Sequence, residues 1–550
     1  MSSFSSRYWA TLLSAILLLT ASSRPRLLAN PGVSQVTATR DRLYVKGSTA
    51  EGTSWLMERD SWESQPLASR HSPLQVFSSK AEFEVAISRW DGLGDRLYRN
   101  FQLFQVEPSA VTVPTATMSP LESPHYTSVL RGISARIEPF PNPASKKGLQ
   151  VQMVEDALAL DIHHAALNLN LSSLLSLEPG PETHSERSQG RVFHFSKRTT
   201  DALDQQVKRL SDAGVVISLI VLAYQSSDPG INVLLLHPSY DSTCPNHLGA
   251  FNTVTSDGVA SFVACMEFLA NRYNLPDFPY GRVSNFILGN EVNSHWFWSN
   301  RGHCTMEEFA DDYLRAMRLA WTAVRKSSAT ARVYVSLEHH WNIHYPGGND
   351  RQTFAARPFL DYFHHRAVEE GDFDWHVAFH PYPENLFKPR TWLDQSATLS
   401  ADTPRITFKN IEQLTLYLSE SSRQYDPPPH EAYSRRTRRV ILSEQGFHAD
   451  LGPEGELSQA AAYAYAYRKA AINPGIDSFI LHRHVDHAQE GGLNLGLWTR
   501  KTGSVADPDQ PRRIYEVFKK ANQPDWENAF EFALPVIGIS RWDQIRMAHP

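Results

Sequence analysis

The sequence predicts a (β/α)8 barrel of the TIM type, preceded by a small antiparallel, β-sandwich-like domain, and three observations lead there. Largely apolar Val/Ile/Leu runs recur between residues 129 and 482, as strands covered by helices require. Segments with helical spacing of apolar residues separate them. Polar residues gather where those runs end, at the mouth where a parallel barrel opens its loops. A doubly wound open sheet is the alternative, but no GxGxxG-type glycine loop follows the first strands.

In chain order, Arg7 precedes the apolar stretch "WATLLSAILLLT" and the small residues Ala21, Ser22 and Ser23, the layout of a secretory signal peptide over 1–23. That run is too short to span a membrane comfortably, so an exported protein (periplasmic or extracellular) with no stable membrane insertion after cleavage is expected. Short alternating segments such as "VSQVTATRDRLYVKGS" and "AEFEVAIS" give the β domain, 31–115. A Pro/Ser/Thr-rich stretch follows, read as a linker over 116–125. The barrel is expected over 126–525, with "VLRGIS" as its first strand and "AALNLNL", "VVISLIVLAY", "VSNFILGNE", "RVYVSLEHH", "WHVAFHPY", "RVILSEQG" and "DSFILHRH" after it. Residues 526–550 form a C-terminal tail.

Hydrophobic residues make up 41%, charged residues 20%, and the net charge is -6, which leaves no basic excess for nucleic acid. Three dispersed cysteines lack zinc-site spacing. Cys265 lies on the apolar face of a helical pattern and is expected in the core, whereas Cys244 and Cys304 fall in loops that a disulfide could join.

Strand-end polar residues include Asn168 and Asn170; Tyr224; Asn290 and Glu291; Glu338, His339 and His340; His380 and Tyr382; Glu444; and His482, Arg483, His484 and Asp486. Glu291 ends the fourth strand and Glu444 the seventh, which puts two carboxyl groups across one mouth. Such a pair is what hydrolysis of an acetal needs, one group to protonate the departing oxygen and one to attack carbon or activate water. Either Glu alone reads more readily as a strand-end charge paired with Arg or Lys; together, at these strand positions, the two favour the catalytic reading.

"ILGNE" at strand four and "LSEQG" at strand seven resemble the motif pair of clan A retaining glycoside hydrolases, the 4/7 barrels, and the pattern is most similar to an exported bacterial branch of that clan. The resemblance implies that Glu291 is the general acid/base, Glu444 the nucleophile, and Asn290 the contact to the sugar 2-hydroxyl. Tyr382 in "HPY" resembles the clan's contact to the nucleophile. Apolar walls such as Trp296 and Trp298 would raise the pKa of the acid. The chain departs from the clan where an Arg near the end of strand two and a Trp ending strand eight are customary; Arg483 and Trp498 are the candidates to replace them. Asn170, Glu338, His380, His482 and His484 complete the expected substrate contacts. The substrate is expected to be an oligo- or polysaccharide, with no cofactor and no metal. Long loops at 172–198, 225–257 and 341–357 favour a walled pocket.

Two rival readings stay open. The run "HRHVDH" offers His482, His484, Asp486 and His487 as metal ligands. A noncatalytic carbohydrate-binding barrel would use loop aromatics such as Trp296, Trp298, Trp341 and Trp498 for stacking alone. No GxSxG elbow marks a serine nucleophile.

Overall fold

The computed structural model describes residues 30–63, 72–92, 94–107, 118–427 and 436–547; the expected signal peptide lies outside them. Eight parallel strands close a barrel: β1 (Lys147–Gln150), β2 (His164–Asn170), β3 (Val216–Leu222), β4 (Asn285–Leu288), β5 (Arg332–Glu338), β6 (Trp375–His380), β7 (Val440–Leu442) and β8 (Ile476–Leu481). β1 pairs with β8 through Lys147 with Phe479 and Leu149 with Leu481, which completes the ring. Around it stand α1 (Val154–Ala159), α2 (Lys197–Asp212), α3 (Ser256–Arg272), α4 (Met306–Ser327), α5 (Ala356–Glu369), α6 (Glu412–Ser419), α7 (Pro453–Ile472) and α8 (Arg513–Lys520).

Strand period sets the two faces. Ala166, Ile220, Ile287, Tyr334, Ala378, Ile441 and Ile480 form an inner cluster, while the alternate residues pack outward against the helices. Gly148 adds no side chain to the interior: a Cβ there would lie 2.8 Å from Ile480 and 2.9 Å from His164. On α4 the expected face of Phe309, Tyr313, Met317, Trp321 and Val324 is buried, and Thr305 with Glu308 forms a capping box that starts the helix. Cys265 is buried in α3 as expected. Cys244 and Cys304 are free thiols, Cys304 resting 3.7 Å from His295 Nε2 instead.

Two sheets share the N-terminal core of Val36, Leu43, Val45, Leu56, Phe101 and Leu103. They extend past residue 115. Met118–Pro120 and His125–Tyr126 both pair with Arg99–Val106, and Val129–Leu130 runs parallel to Gly32–Ala38. The segment expected as a linker therefore supplies edge strands, a position that tolerates Pro120. "VLRGIS" is likewise an edge of this domain, and the first barrel strand is the short, glycine-containing β1, whose four residues carry too little pattern to stand out. The expected tail is also structured: Phe530 and Trp542 are buried, with Phe530 and Trp526 against Tyr467 of α7.

The β domain docks on α3 and α4. Tyr98 donates 2.6 Å to Glu267 of α3, which also accepts from Ser188 at 2.6 Å and pairs with Lys326 of α4, itself 3.2 Å from Asp95. Within the domain, Glu122 Oε1 accepts backbone N–H groups from both sheets, Leu103 at 2.9 Å and Val33 at 3.3 Å. Burial pushes the Glu122 carboxyl up to about 7, although those two bonds oppose the shift. Its neutral form suits the fold, so stability is full below the unfolded value of 4.5 and falls as pH rises through about 7. Glu122→Gln keeps the Oε1 acceptor and removes the charge. Thermal unfolding at two pH values should show the Tm of the variant, relative to the unmodified protein, gaining more at pH 8 than at pH 5; an equal offset at both would refute the assignment.

Candidate active site

At the end of β4 the chain turns sharply. Gly289 has φ +73°, and Glu291, with φ 41° and ψ 51°, occupies the left-handed region that few non-glycine residues adopt. Its N–H donates 3.0 Å to Ser336 Oγ of β5, which fixes the turn. The carboxyl of Glu291 then meets the last residue of β6: His380 Nδ1 lies 2.9 Å from Oε1, and His380 Nε2 lies 3.1 Å from Ser443 Oγ beyond β7. His380 is only 1% exposed, so it stands behind the carboxyl as a support and not on the cavity wall.

Glu444, the next residue, accepts from the Tyr382 hydroxyl at 3.2 Å. An oxygen of Glu291 and one of Glu444 lie within 4.8 Å of each other and of a His380 nitrogen. Burial raises the Tyr382 pKa well above its usual range and the charge of Glu444 adds to it, so the phenol stays a donor. For Glu291 burial also acts upward and outweighs the His380 hydrogen bond. For His380 burial acts downward, and the bond to Glu291 with the negative field of Glu444 and Glu338 overcomes it. The pair therefore holds a proton to higher pH than a free carboxyl would.

Glu338, at the end of β5, is built oppositely. Asn293 donates to it at 2.7 Å, Ser294 Oγ at 3.1 Å, the His340 N–H at 2.9 Å and His340 Nδ1 at 2.5 Å. Burial would raise its pKa, but His340 and these donors hold it down to about 2. Arg405 donates to His340 Nε2 at 3.2 Å, so the ring proton sits on Nδ1 and points at Glu338.

These groups face a cavity of about 1160 Å³ at the C-terminal mouth of the barrel. Asn290, Glu291, Trp298, Glu338, Tyr382, Glu444, His482, Arg483 and His484 line it as the sequence predicts. Four expected contacts do not line it: His380 is the support behind Glu291, and Asn170, Trp296 and Trp498 are turned elsewhere. Asn170 is turned to the backbone, accepting from Ser172 and Tyr224 N–H groups at 3.0 and 3.1 Å, and Asn168, one turn of the pleat below, lines the cavity. Trp296 packs on His303 with ring centroids 4.7 Å apart, which leaves Trp298 as the aromatic wall. Trp498 donates 3.0 Å to Asp156 and packs edge-on against Tyr515, away from the cavity.

The histidine run does not converge on a metal. His484 is used at both nitrogens, 2.8 Å from Asp156 Oδ2 and 3.3 Å from the N–H groups of Gln152 and Met153. Asp486 binds Arg512 and the Gly496 N–H. Among the described residues, the groups with ligand-type atoms close together are Glu338–His339–His340 and Glu291–His380–Glu444. Sequence reasoning missed Asn293, Ser294 and Ser443, though each lies within three residues of a named carboxylate. It also missed Arg405, Glu384 and Glu490, which line the cavity from loops without periodicity.

Comparison with solved structures returns distant likenesses. A calcium-binding mutant of Bacteroides uniformis β-glucuronidase 2 is 11% identical with a TM-score of 0.39, over 90% of this chain and 50% of that one, so this chain spans half of that protein's length. The β-glucosidase of Pyrococcus furiosus is 15% identical with a TM-score of 0.42, over 70% of this chain and 86% of its own. Ruminococcus gnavus β-glucuronidase is 12% identical with a TM-score of 0.37, over 90% and 68%. No curated protein sequence matches. The model of a family of unknown function, DUF5722, matches residues 139–545, which contain every barrel strand, and the chain belongs to that family.

Proposed function

We propose that the protein is an exported glycoside hydrolase of the clan A type that cleaves oligo- or polysaccharides with retention, Glu291 serving as acid/base and Glu444 as nucleophile. The carrying observation is the pair itself: two carboxyl groups with oxygens within 4.8 Å, set across the mouth of one barrel and facing one cavity. Oxygens that approach within 4.8 Å support direct attack, for which the carboxyl groups stand about 5–5.5 Å apart, over an inverting arrangement at about 6.5–9.5 Å. Export rests on the composition of residues 1–23.

The unequal environments supply the division of labour. Glu291 keeps its proton through burial, with His380 behind it, and gives it to the departing glycosidic oxygen. Glu444 attacks the anomeric carbon and forms a glycosyl ester, while the Tyr382 hydroxyl holds its other lone pair in place. With the first product gone, Glu291 takes a proton from water, whose oxygen displaces Glu444 and regenerates both groups. Asn290 and Trp298 line the same cavity and are placed to hold the sugar.

Turnover tests this reading. The protein from residue 24 onward, beside Glu291→Gln and Glu444→Gln, is offered aryl glycosides and oligosaccharides. Release of sugar by the unmodified protein should fall on the order of 10²–10⁴-fold in each variant. Proton NMR in the first minutes should show the product anomer retained. Glycan binding without turnover, equal in all three proteins, would identify a binding barrel, and an inverted product would remove Glu444 as nucleophile.

The pH profile gives an independent check. Activity requires the proton held by Glu291 and His380, so kcat/KM should decline as pH rises, with the alkaline limb above the ordinary carboxylate range. That limb should vanish from the residual activity of Glu291→Gln on substrates whose leaving group needs no acid. Its persistence there would assign it to another group.

A further inference from the structure

The cavity is strongly acidic, with Glu291, Glu338, Glu384, Glu444 and Glu490 on its wall, and it contains two guanidinium groups, Arg483 and Arg405. Their situations differ. Arg483 is neutralised by a close ion pair with Glu490, whose carboxyl is held down to about 2 against its burial by His482 and Arg483. Arg405 has no direct ion pair: among the described residues no carboxylate oxygen lies within 4.0 Å of it, and its charge reaches Glu384 only across the Ser396 hydroxyl. Its two bonds go to neutral acceptors, Ser396 Oγ at 3.0 Å and His340 Nε2 at 3.2 Å, and its Nε is buried without a partner. Glu384, the nearby acid, spends its oxygens on the Gln395 N–H at 2.9 Å, the Ser396 N–H at 2.8 Å and the Ser396 hydroxyl at 2.5 Å.

Protein partners take two of the five donors of this half-buried cation, and it borders the cavity. Arg405 is also held rigidly. Its backbone bridges to His340, which donates to Glu338, which in turn fixes Asn293 and Ser294 just after Glu291. A neutral sugar would leave the guanidinium without a direct ionic partner, whereas a planar carboxylate or a sulfate matches its fork geometry. We infer that Arg405 is the specificity residue of a subsite for an oxyanion substituent, the carboxylate of a uronic acid or a sulfate ester, carried by the sugar. This inference rests on the glycosidase reading for its turnover arm only.

Three aryl glycosides differing in one substituent, a neutral hexoside, its hexuronide and its 6-O-sulfate, are assayed with the full chain, Arg405→Gln and Arg405→Lys. The unmodified protein should prefer one anionic substrate, and which one names the source of the charge. Arg405→Gln should lower the anionic-to-neutral ratio of kcat/KM on the order of 10–100-fold, the loss of hydrogen bonds to a charged group, with partial recovery in Arg405→Lys. Preference for the neutral substrate, or a ratio unchanged by either variant, overturns the subsite. In parallel, tryptophan fluorescence follows titration with glucuronate, inorganic sulfate and glucose. Saturable binding of an anion but not glucose, weakened in Arg405→Gln, supports the subsite even if no glycoside is hydrolysed, in which case the hydrolase reading alone fails. Absence of anion binding in the unmodified protein overturns the subsite whatever is turned over. Arg405→Lys carries the comparison if Arg405→Gln does not fold.

Discussion

Acidic groups crowded into one partly dehydrated mouth cannot all be ionised, and the organisation of the site follows from that constraint. Glu338 receives four donors and takes the charge. Glu291 receives a single imidazole and keeps a proton in partnership with it. Glu444 is met by a phenol that cannot readily ionise. Three chemically similar strand-end side chains thus acquire three different characters from the number and kind of hydrogen bonds around each.

Those hydrogen bonds depend on the barrel. Ser336 on β5 positions the backbone of Glu291 after β4, His380 on β6 meets its side chain, and Ser443 after β7 fixes the far edge of that ring. The partners come from the next strand or the one beyond it, so register errors of one residue would turn the whole relay away from the mouth. Loops supply the surroundings: Arg405 and Glu384 belong to the irregular stretch between β6 and α6 and line the cavity around the reacting groups.

How far the sequence disclosed this depended on pattern. Seven of the eight barrel strands and both carboxylates were legible because hydrophobic runs ending in polar residues are a local signal. β1 was not, since four residues including a glycine carry little periodicity, and "VLRGIS" offered a stronger pattern that tertiary pairing assigned to the β domain. Trp498 and Trp296 looked like sugar platforms by residue type, yet an available Asp156 and an available His303 claimed them. Asn170 has the parity of Asn168 but lies one step too far along β2, where free backbone donors capture it. Contacts of this kind are decided by the folded neighbourhood, whether the partner is Ser172 beside Asn170 or Asp156, 342 residues from Trp498. No single-sequence pattern records them.

Lys147, buried in β1, has a bearing on the order of assembly. Its ammonium donates to the carbonyls of Lys519 and Ala521 and to Asn522 Oδ1, at the end of α8. The strand that opens the barrel is therefore satisfied by the helix that follows its closing strand, 372 residues further along the chain at Lys519. Until β8 pairs with it β1 has an open edge, and until α8 packs its charge has no home, so burying it alone would be costly. Ring formation is accordingly a long-range event that couples the two ends of the barrel.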